Sequence, residues 1–232
     1  MKSKKELIPK YTIIPLAILL LFHLAVFYVT RPITSGMTHH DLSTWIDLKI
    51  PFIPAFIVIY VLAYVQWAYG IYYLSTRGRD VAYKFLAATM IGEIMCFITF
   101  IAVPTELCGA VTQPKVTGGD VFSWMTRLIY SLDEPNNLFP SLHCFASWMC
   151  FRGIFYIEKE KRNKAYTVFS FVFSLLVFAS TVLVKQHVFV DIIGGVAYIE
   201  IAILIEKLTG AHRVYYALEK RIFKNKTEGK ES

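Results

Sequence analysis

The feature that most constrains this chain is a series of long apolar runs, each bounded by charged or turn-forming residues. The runs predict six membrane-crossing helices, over residues 11–30, 51–74, 85–103, 141–157, 167–184 and 188–205. Each holds about 17–24 residues, which is enough to cross a hydrocarbon core of roughly 30 Å. Hydrophobic residues make up 56% of the 232, a share too high for an ordinary soluble domain. The sequence therefore predicts an all-α polytopic membrane protein.

The basic residues indicate how these helices are oriented. Most of the 24 lysines and arginines fall in the N-terminal arm, the second and fourth connections and the tail. Because basic residues are retained on the cytoplasmic side, we expect both termini there and the third connection outside. The net charge of +7 does not indicate nucleic acid, since the basic residues flank apolar runs. One membrane domain over 1–232 is predicted, with a core at 11–206 and a basic cytoplasmic tail at 207–232.

The third connection, between helices 3 and 4, contains a further predicted helix. Apolar residues recur there at helical spacing: Val121, Phe122, Trp124, Met125, Leu128, Ile129 and Leu132. The other face holds Ser123, Thr126, Arg127 and Tyr130. Such a segment lies along the outer membrane interface with its apolar stripe in the headgroup boundary. The alternative is a short helix packed on the ends of the spans.

A histidine stands just before the last apolar run, and an aspartate lies near the start of that run. His187 and Asp191 are four residues apart, so on a helix they share one face. A carboxylate at this spacing accepts a hydrogen bond from one imidazole nitrogen and leaves the other free as nucleophile or base. An ionisable pair in apolar surroundings indicates a functional site.

A second histidine stands at the start of the fourth run, in the sequence Pro140-Ser141-Leu142-His143. Proline suits the first position of a helix. The unpaired amides of the first turn and the serine hydroxyl offer an anion site. In the predicted topology His143 lies at the same outer depth as His187, and the two favour phosphoryl transfer. The alternative is a capped helix start with a chance histidine.

These residues resemble two motifs of the type 2 phosphatidic acid phosphatase superfamily, PSGH and SRxxxxxHxxxD. The resemblance covers about 104–195, and the run DxPxNxFPSLH, which begins at Asp133, is closer to the inositol phosphorylceramide synthase-like branch. It implies six membrane helices, attack by His187 on phosphorus to give a phosphohistidine, and orientation of His187 by Asp191. His143 then protonates the leaving group, while Ser141 and neighbouring amides such as that of Leu142 hold phosphate oxygens. No metal or other cofactor is implied.

Two departures from the family pattern concern the phosphate-binding arginines. The arginine of the third motif aligns with Thr181. In the first motif Gln113 takes the place of the arginine, and Glu106 takes that of the lysine. Glutamine does not replace a guanidinium clamp on a phosphoryl group. The candidate substitutes are Lys185, Lys115 and Arg127, with Gln113 kept as a possible phosphate contact.

The resemblance implies an integral-membrane lipid phosphatase or phosphotransferase. Its substrate is a lipid phosphate or diphosphate at the extracytoplasmic face, and the membrane is the plasma membrane if the source is bacterial. The chemistry is either hydrolysis or transfer to an alcohol. The alternative is a catalytically inactive lipid-binding or transport protein on the same scaffold.

Other ionisable residues lie outside these motifs. Arg152 and Glu93 fall at similar depth in two runs, which predicts a buried ion pair because neither charge is stable alone in the membrane. Glu200 is a second possible partner, and the alternative is that Arg152 extends to the cytoplasmic interface. Three histidines, His39, His40 and His212, are expected in exposed loops.

Overall fold

Helices form along the apolar runs of the chain. A computed structural model describes residues 8–109 and 111–228. Its helices are α1 Lys10–Thr34, α2 Ile57–Ser75, α3 Arg79–Ala102, α4 Val121–Leu132, α5 Leu142–Gly153, α6 Lys164–Leu183, α7 Phe189–Thr209 and α8 Arg213–Glu228. Single 3₁₀ turns lie at Pro54–Phe56, Ile154–Tyr156 and Lys159–Lys161. Within the described ranges no β-strand forms, and the predicted all-α class is confirmed.

Among the residues that the structure describes, four helical segments are long and apolar enough to cross a membrane: α1, Pro54–Ser75, α3 and α6. The run predicted as the fourth span is helical as α5 for only 12 residues before it tightens into the 3₁₀ turn. The last run forms α7, which has 21 residues but carries Asp191, Glu200 and Glu206. These differences follow from short helix length in one run and from acidic residues in the other. The six-span arrangement therefore stays a prediction.

Two helices, α3 and α5, are central to the packing. Helix α3 packs on α1 and α7, and α5 packs on α2, α6 and α7. Where α7 meets α5, Gly195 lies so close to α5 that a Cβ atom on it would come within 2.7 Å of the Ser141 carbonyl oxygen. Only glycine permits this approach. The beginnings of α5 and α7 are thereby held together at one end of the bundle.

The predicted helix in the third connection is present as α4. Asp120 begins it by accepting hydrogen bonds from the amides of Phe122 and Ser123, as an N-cap does. Met125 and Ile129 pack against a buried cluster around Ile57 and Tyr60. The other large apolar side chains are exposed: Val121, Phe122, Trp124, Leu128 and Leu132. On the opposite face Ser123 and Thr126 are buried, so most of the apolar stripe is exposed, while Met125 and Ile129 pack inward. Its position at the membrane interface stays a prediction.

Arg152 pairs with a different acid from the one expected. Its Nη2 donates to Glu200 Oε2 at 2.8 Å, and the Trp148 indole donates to Glu200 Oε1 at 2.8 Å. Glu93 instead lies 2.9 Å from His23. The predicted Arg152–Glu93 pair is wrong, and the second candidate, Glu200, is confirmed. The reason is the helix arrangement, because α5 packs extensively on α7 and that face carries Arg152.

Two of the three histidines expected in exposed loops are not free. His212 follows α7 and lies against the buried carboxylate of Glu206. His39 is 3.7 Å from Glu106, with a side chain that is only 13% exposed. His40 is exposed, as predicted. The expectation of exposure was wrong for His39 and for His212, whose side chain is 16% exposed because the turn into α8 folds it back onto α7.

Candidate active site

A cavity opens at the end of the bundle where α1 and α3 end and α5 and α7 begin. Side chains of α1, α2, α3 and α5 line it, together with the connections that precede α5 and α7. Its volume is about 70 Å³. Since roughly 10–15 Å³ on this measure holds one water molecule, the space accommodates a group of about the size of a phosphate. His143 and His187 both line it.

The histidine and aspartate predicted to pair do form a hydrogen bond. His187 Nδ1 lies 3.1 Å from Asp191 Oδ2, and the same oxygen accepts the Val188 amide at 3.0 Å. Asp191 is fully buried in the first turn of α7. The backbone amide of His187 donates to the Thr181 carbonyl at 3.1 Å, which fixes the segment between α6 and α7. With Nδ1–H donated to the carboxylate, Nε2 of His187 carries the free lone pair.

His143 approaches His187 from another helix. The two ring centroids are 6.1 Å apart, and the ring of His143 stacks on that of Tyr60 at 4.1 Å. His143 is 7% exposed. Its Nε2 is buried and has no hydrogen-bond partner among the described residues. A buried polar atom without a partner is costly, so this nitrogen is available for a ligand. The expected convergence of the two imidazoles is present.

Ser141 and Leu142 occupy the start of α5 as predicted, in different roles. Ser141 is the N-cap of α5, and its hydroxyl accepts a hydrogen bond from the Cys144 amide. The residue is fully buried. Its own amide donates to the Asp191 carbonyl at 3.1 Å. Leu142 lines the cavity, whereas Ser141 does not. The hydroxyl is therefore committed to the helix, and the backbone amides at Leu142 and His143 are the nearer donors for an anion.

Lys185, the first expected substitute for the missing arginine, points to neighbouring backbone. Its ammonium donates to the carbonyls of Asp47 and Ile50, at 3.2 and 2.6 Å. Burial lowers the pKa of Lys185, and the nearby Asp47 carboxylate partly opposes this shift. The residue adopts a positive φ of 54°, which turns the chain into His187. Lys185 thus supports the loop and does not line the cavity.

The other expected phosphate contacts also lie outside the cavity lining. Arg127 donates to the carbonyls of Gly118 and Val116, at 2.7 and 3.2 Å. Lys115 is exposed. Gln113 donates to Gln186 Oε1 at 3.1 Å, and Gln186 does line the cavity. Of these three residues and Lys185, only Gln113 is connected to the cavity, through the side chain of Gln186.

Arg31 is the cation that the sequence analysis missed. It lies in the last turn of α1 and is the one lysine or arginine in the described lining. Its Nη2 donates to Asp133 Oδ1 at 2.6 Å, and its guanidinium stacks on Phe27 at 4.1 Å. The other Asp133 oxygen accepts the Tyr60 hydroxyl at 3.1 Å. The signal was a basic residue at the end of the first apolar run that lies opposite to most of the basic residues.

His23 is a third cavity histidine that the sequence analysis did not consider. It lies inside α1, and its Nδ1 is 2.9 Å from Glu93 Oε1 of α3. Glu93 is buried, with a side chain that is 6% exposed. A histidine inside an apolar run was the available signal, since ionisable residues are rare in membrane spans.

Comparison with known proteins gives one match. Residues 105–209, just under half of the chain, match the model of the PAP2 superfamily. That stretch contains His143, His187 and Asp191. Comparison with curated proteins and with solved structures found no match.

Proposed function

We propose that this chain is a membrane phosphotransferase or phosphatase of the PAP2 superfamily, acting on a lipid phosphate or diphosphate. The observation that carries the proposal is the pair of imidazoles 6.1 Å apart at one cavity. One is held by a buried carboxylate, and the other has an unpartnered nitrogen. The family match, which spans both, and the apolar helices support the same assignment.

The first chemical step is attack by His187 Nε2 on phosphorus. A P–N bond forms, and the P–O bond to the leaving group breaks. Asp191 holds the Nδ1–H and stabilises the positive charge that the ring acquires. His143 gives a proton to the leaving oxygen. Proton donation by a positioned acid typically raises the reaction rate by about 10²–10⁴-fold. The second step transfers the phosphoryl group from His187 to water or to an alcohol.

The phosphate charge is met by Arg31 and by the start of α5. The guanidinium lines the cavity with both histidines, and Asp133 orients it through a single nitrogen, Nη2. Guanidinium nitrogens form strong, directional hydrogen bonds to phosphate oxygens. The first amides of α5, at Leu142 and His143, add donors where the helix dipole favours an anion. This arrangement substitutes for the motif arginines, which are absent at Gln113 and Thr181.

The site is proposed to face the extracytoplasmic side. The cavity lies at the bundle end opposite to the basic connections around Arg79 and Lys161, which the positive-inside rule places in the cytoplasm. Both termini are then cytoplasmic. A lipid phosphate in the outer leaflet reaches this end of the bundle with its headgroup.

The test is to trap the covalent intermediate. The purified full chain in lipid nanodiscs is mixed with radiolabelled phosphatidic acid and, separately, with a radiolabelled isoprenyl diphosphate. We expect acid-labile, base-stable label on the wild type and none on His187→Ala. His212→Ala is the matched control, because His212 has a carboxylate partner at the opposite end of the bundle. Equal phosphate release by wild type and His187→Ala would contradict the proposal.

A second candidate function is lipid-phosphate binding without turnover. The absence of both motif arginines, at Gln113 and Thr181, favours it. Such a protein binds the lipid phosphate in the cavity but yields neither label on His187 nor released phosphate. The trapping experiment therefore separates the two candidates.

A further inference from the structure

The cavity contains a second carboxylate–histidine pair that the proposed phosphorylation of His187 does not use. His23 of α1 and Glu93 of α3 are 70 residues apart in sequence, and their side chains meet at 2.9 Å. Glu93 contacts the Nδ1 of its partner, as Asp191 does in the His187 pair. His23 lines the same cavity as His143 and His187. Its Nε2 makes no hydrogen bond within the described part of the chain.

The pair lies at the deeper end of the cavity. His23 is eight residues before Arg31 on α1, which is about 12 Å along the axis at 1.5 Å per residue. Both residues line the cavity, so it extends from the charged mouth into the apolar part of the bundle. Phe27, Trp67 and Phe100 line it as well. An ionisable pair in an apolar part of the bundle is costly in free energy and therefore indicates a function.

The second step needs a base, and two imidazoles of the cavity are available for it: His143, which has given its proton to the leaving group, and His23. The acceptor of the second step must lose a proton as its oxygen attacks phosphorus. An imidazole with its Nδ1–H held by a carboxylate is a suitable base, since its Nε2 is free and the resulting imidazolium is stabilised by the carboxylate. His23 has this arrangement, and Phe27, Trp67 and Phe100 line the same cavity.

We propose that His23, oriented by Glu93, is the general base for the hydroxyl of a lipid alcohol, which makes the enzyme a transferase. This inference rests on the proposed function. The alcohol O–H proton moves to His23 Nε2, and the alcohol oxygen forms the new P–O bond. The P–N bond to His187 breaks, and its electron pair returns to the imidazole. The products are a phosphorylated lipid alcohol, neutral His187 and protonated His23 paired with Glu93. His23 then releases the proton to water, and His143 takes up a proton from water to replace the one that it gave to the leaving group in the first step.

The acceptor is assigned to the lipid class on two observations. The base lies about 12 Å from the mouth residue Arg31 along α1, and the aromatic side chains of Phe27, Trp67 and Phe100 line the same cavity. Because the cavity volume is about 70 Å³, only the hydroxyl end of a lipid alcohol enters it, and the carbons next to the hydroxyl gain from apolar contacts there. Diacylglycerol in the nanodisc, glycerol in the buffer and water are therefore the three acceptors to compare.

The experiment separates the two half-reactions. The full chain in nanodiscs with and without diacylglycerol receives an isoprenyl diphosphate radiolabelled in its terminal phosphate, because transfer from phosphatidic acid to diacylglycerol only regenerates phosphatidic acid. Label on protein, on diacylglycerol, on glycerol and in free phosphate is followed. For His23→Asn we expect phosphohistidine to form at the wild-type rate and then to accumulate. Transfer to diacylglycerol falls by about 10²-fold or more, the usual size of a general-base effect. Glu93→Gln, which alters a positioning residue, lowers the transfer rate less and keeps phosphohistidine formation intact.

His212→Asn is the matched control, because it disrupts a histidine–carboxylate pair far from the cavity. We expect it to leave both half-reactions unchanged. A thermal unfolding midpoint close to that of the wild type reports that the His23 and Glu93 variants are folded. His23→Gln serves as a second variant if His23→Asn yields no folded protein.

Three results would overturn the inference. The first is transfer to diacylglycerol at the wild-type rate by His23→Asn. The second is loss of phosphohistidine formation in the folded His23 and Glu93 variants, which assigns the pair to the first step or to structure. The third is wild-type transfer to glycerol or water as fast as to diacylglycerol. Absence of phosphohistidine in the wild type is a different outcome, because it contradicts the proposed function itself.

Discussion

The ring of Tyr60 stacks on the ring of His143 with their centroids 4.1 Å apart. The same tyrosine donates its hydroxyl to Asp133, which in turn accepts from Arg31. A continuous set of contacts thus joins α1, α2 and the start of α5. The proposed acid and the proposed phosphate-binding cation are positioned by one shared carboxylate and one aromatic ring.

The first prediction concerns Arg31. We expect Arg31→Gln to weaken inhibition by inorganic phosphate and by orthovanadate about tenfold or more, since a charge-assisted hydrogen bond contributes about 1.5–3 kcal/mol. Arg31→Lys retains the charge but loses the fork geometry, and is expected to fall between the two. Arg127→Gln, whose parent side chain bonds only to nearby carbonyls, is the control. Similar inhibition constants in all four proteins would contradict the role of Arg31.

The second prediction concerns Tyr60. Tyr60→Phe keeps the ring stacked on His143 and removes one hydrogen bond, which contributes about 1 kcal/mol. We expect a small loss of stability and less than a tenfold loss of kcat. Tyr60→Ala also removes a fully buried ring, at a cost of about 3–5 kcal/mol, and lets His143 turn. Thermal unfolding and kcat are measured for both. Equal effects of the two changes would show that the stacking does not position His143.

The third prediction concerns Asp191. Asp191→Asn removes the carboxylate charge from His187, and we expect phosphohistidine formation to slow by about 10²–10⁴-fold, the usual range for acid–base support. Asp191→Ala also leaves the buried Val188 amide without its acceptor, a further cost of about 1–3 kcal/mol. The rate of label incorporation and the unfolding midpoint separate the two effects. Full activity in Asp191→Asn would refute the orienting role.

The fourth prediction concerns the contact between α5 and α7. In Gly195→Ala the new methyl group meets the Ser141 carbonyl oxygen at 2.7 Å and the Phe145 amide at 3.0 Å. These are backbone atoms, so the two helix starts must separate. A displacement of about 1 Å in an active site costs up to about 10²-fold in rate, and we expect a loss of that order in kcat. Gly36→Ala meets nothing within 4 Å and is the control. Wild-type kcat in Gly195→Ala would show that this spacing is not critical.

The parts of the site that were predictable are those set by short sequence spacing. His187 and Asp191 pair because one helical turn separates them, and the serine of the PSLH segment caps α5 because of its position. Helix α4 follows from its periodic apolar residues. Each of these depends on local geometry, which the sequence expresses directly.

The parts that were missed depend on how neighbouring helices are rotated about their axes. Arg31 meets Asp133 across 102 residues, and His23 meets Glu93 across 70. In helices that are apolar on all sides, the pattern does not indicate which face meets which neighbour. For the same reason depth alone paired Arg152 with the wrong acid. Lys185 was favoured for its closeness in sequence to His187, although its side chain points to the carbonyl of Ile50.

The hydrogen bond from the Ser141 amide to the Asp191 carbonyl makes the starts of α5 and α7 one mechanical unit. His143 and His187 both belong to that unit, so the distance between their rings is preserved when surrounding helices move. Arg31 and His23 instead belong to α1, which packs chiefly on α3. A tilt of α1 alone therefore changes the affinity for a phosphate and for an acceptor. The distance between the nucleophile, His187, and the acid, His143, stays the same.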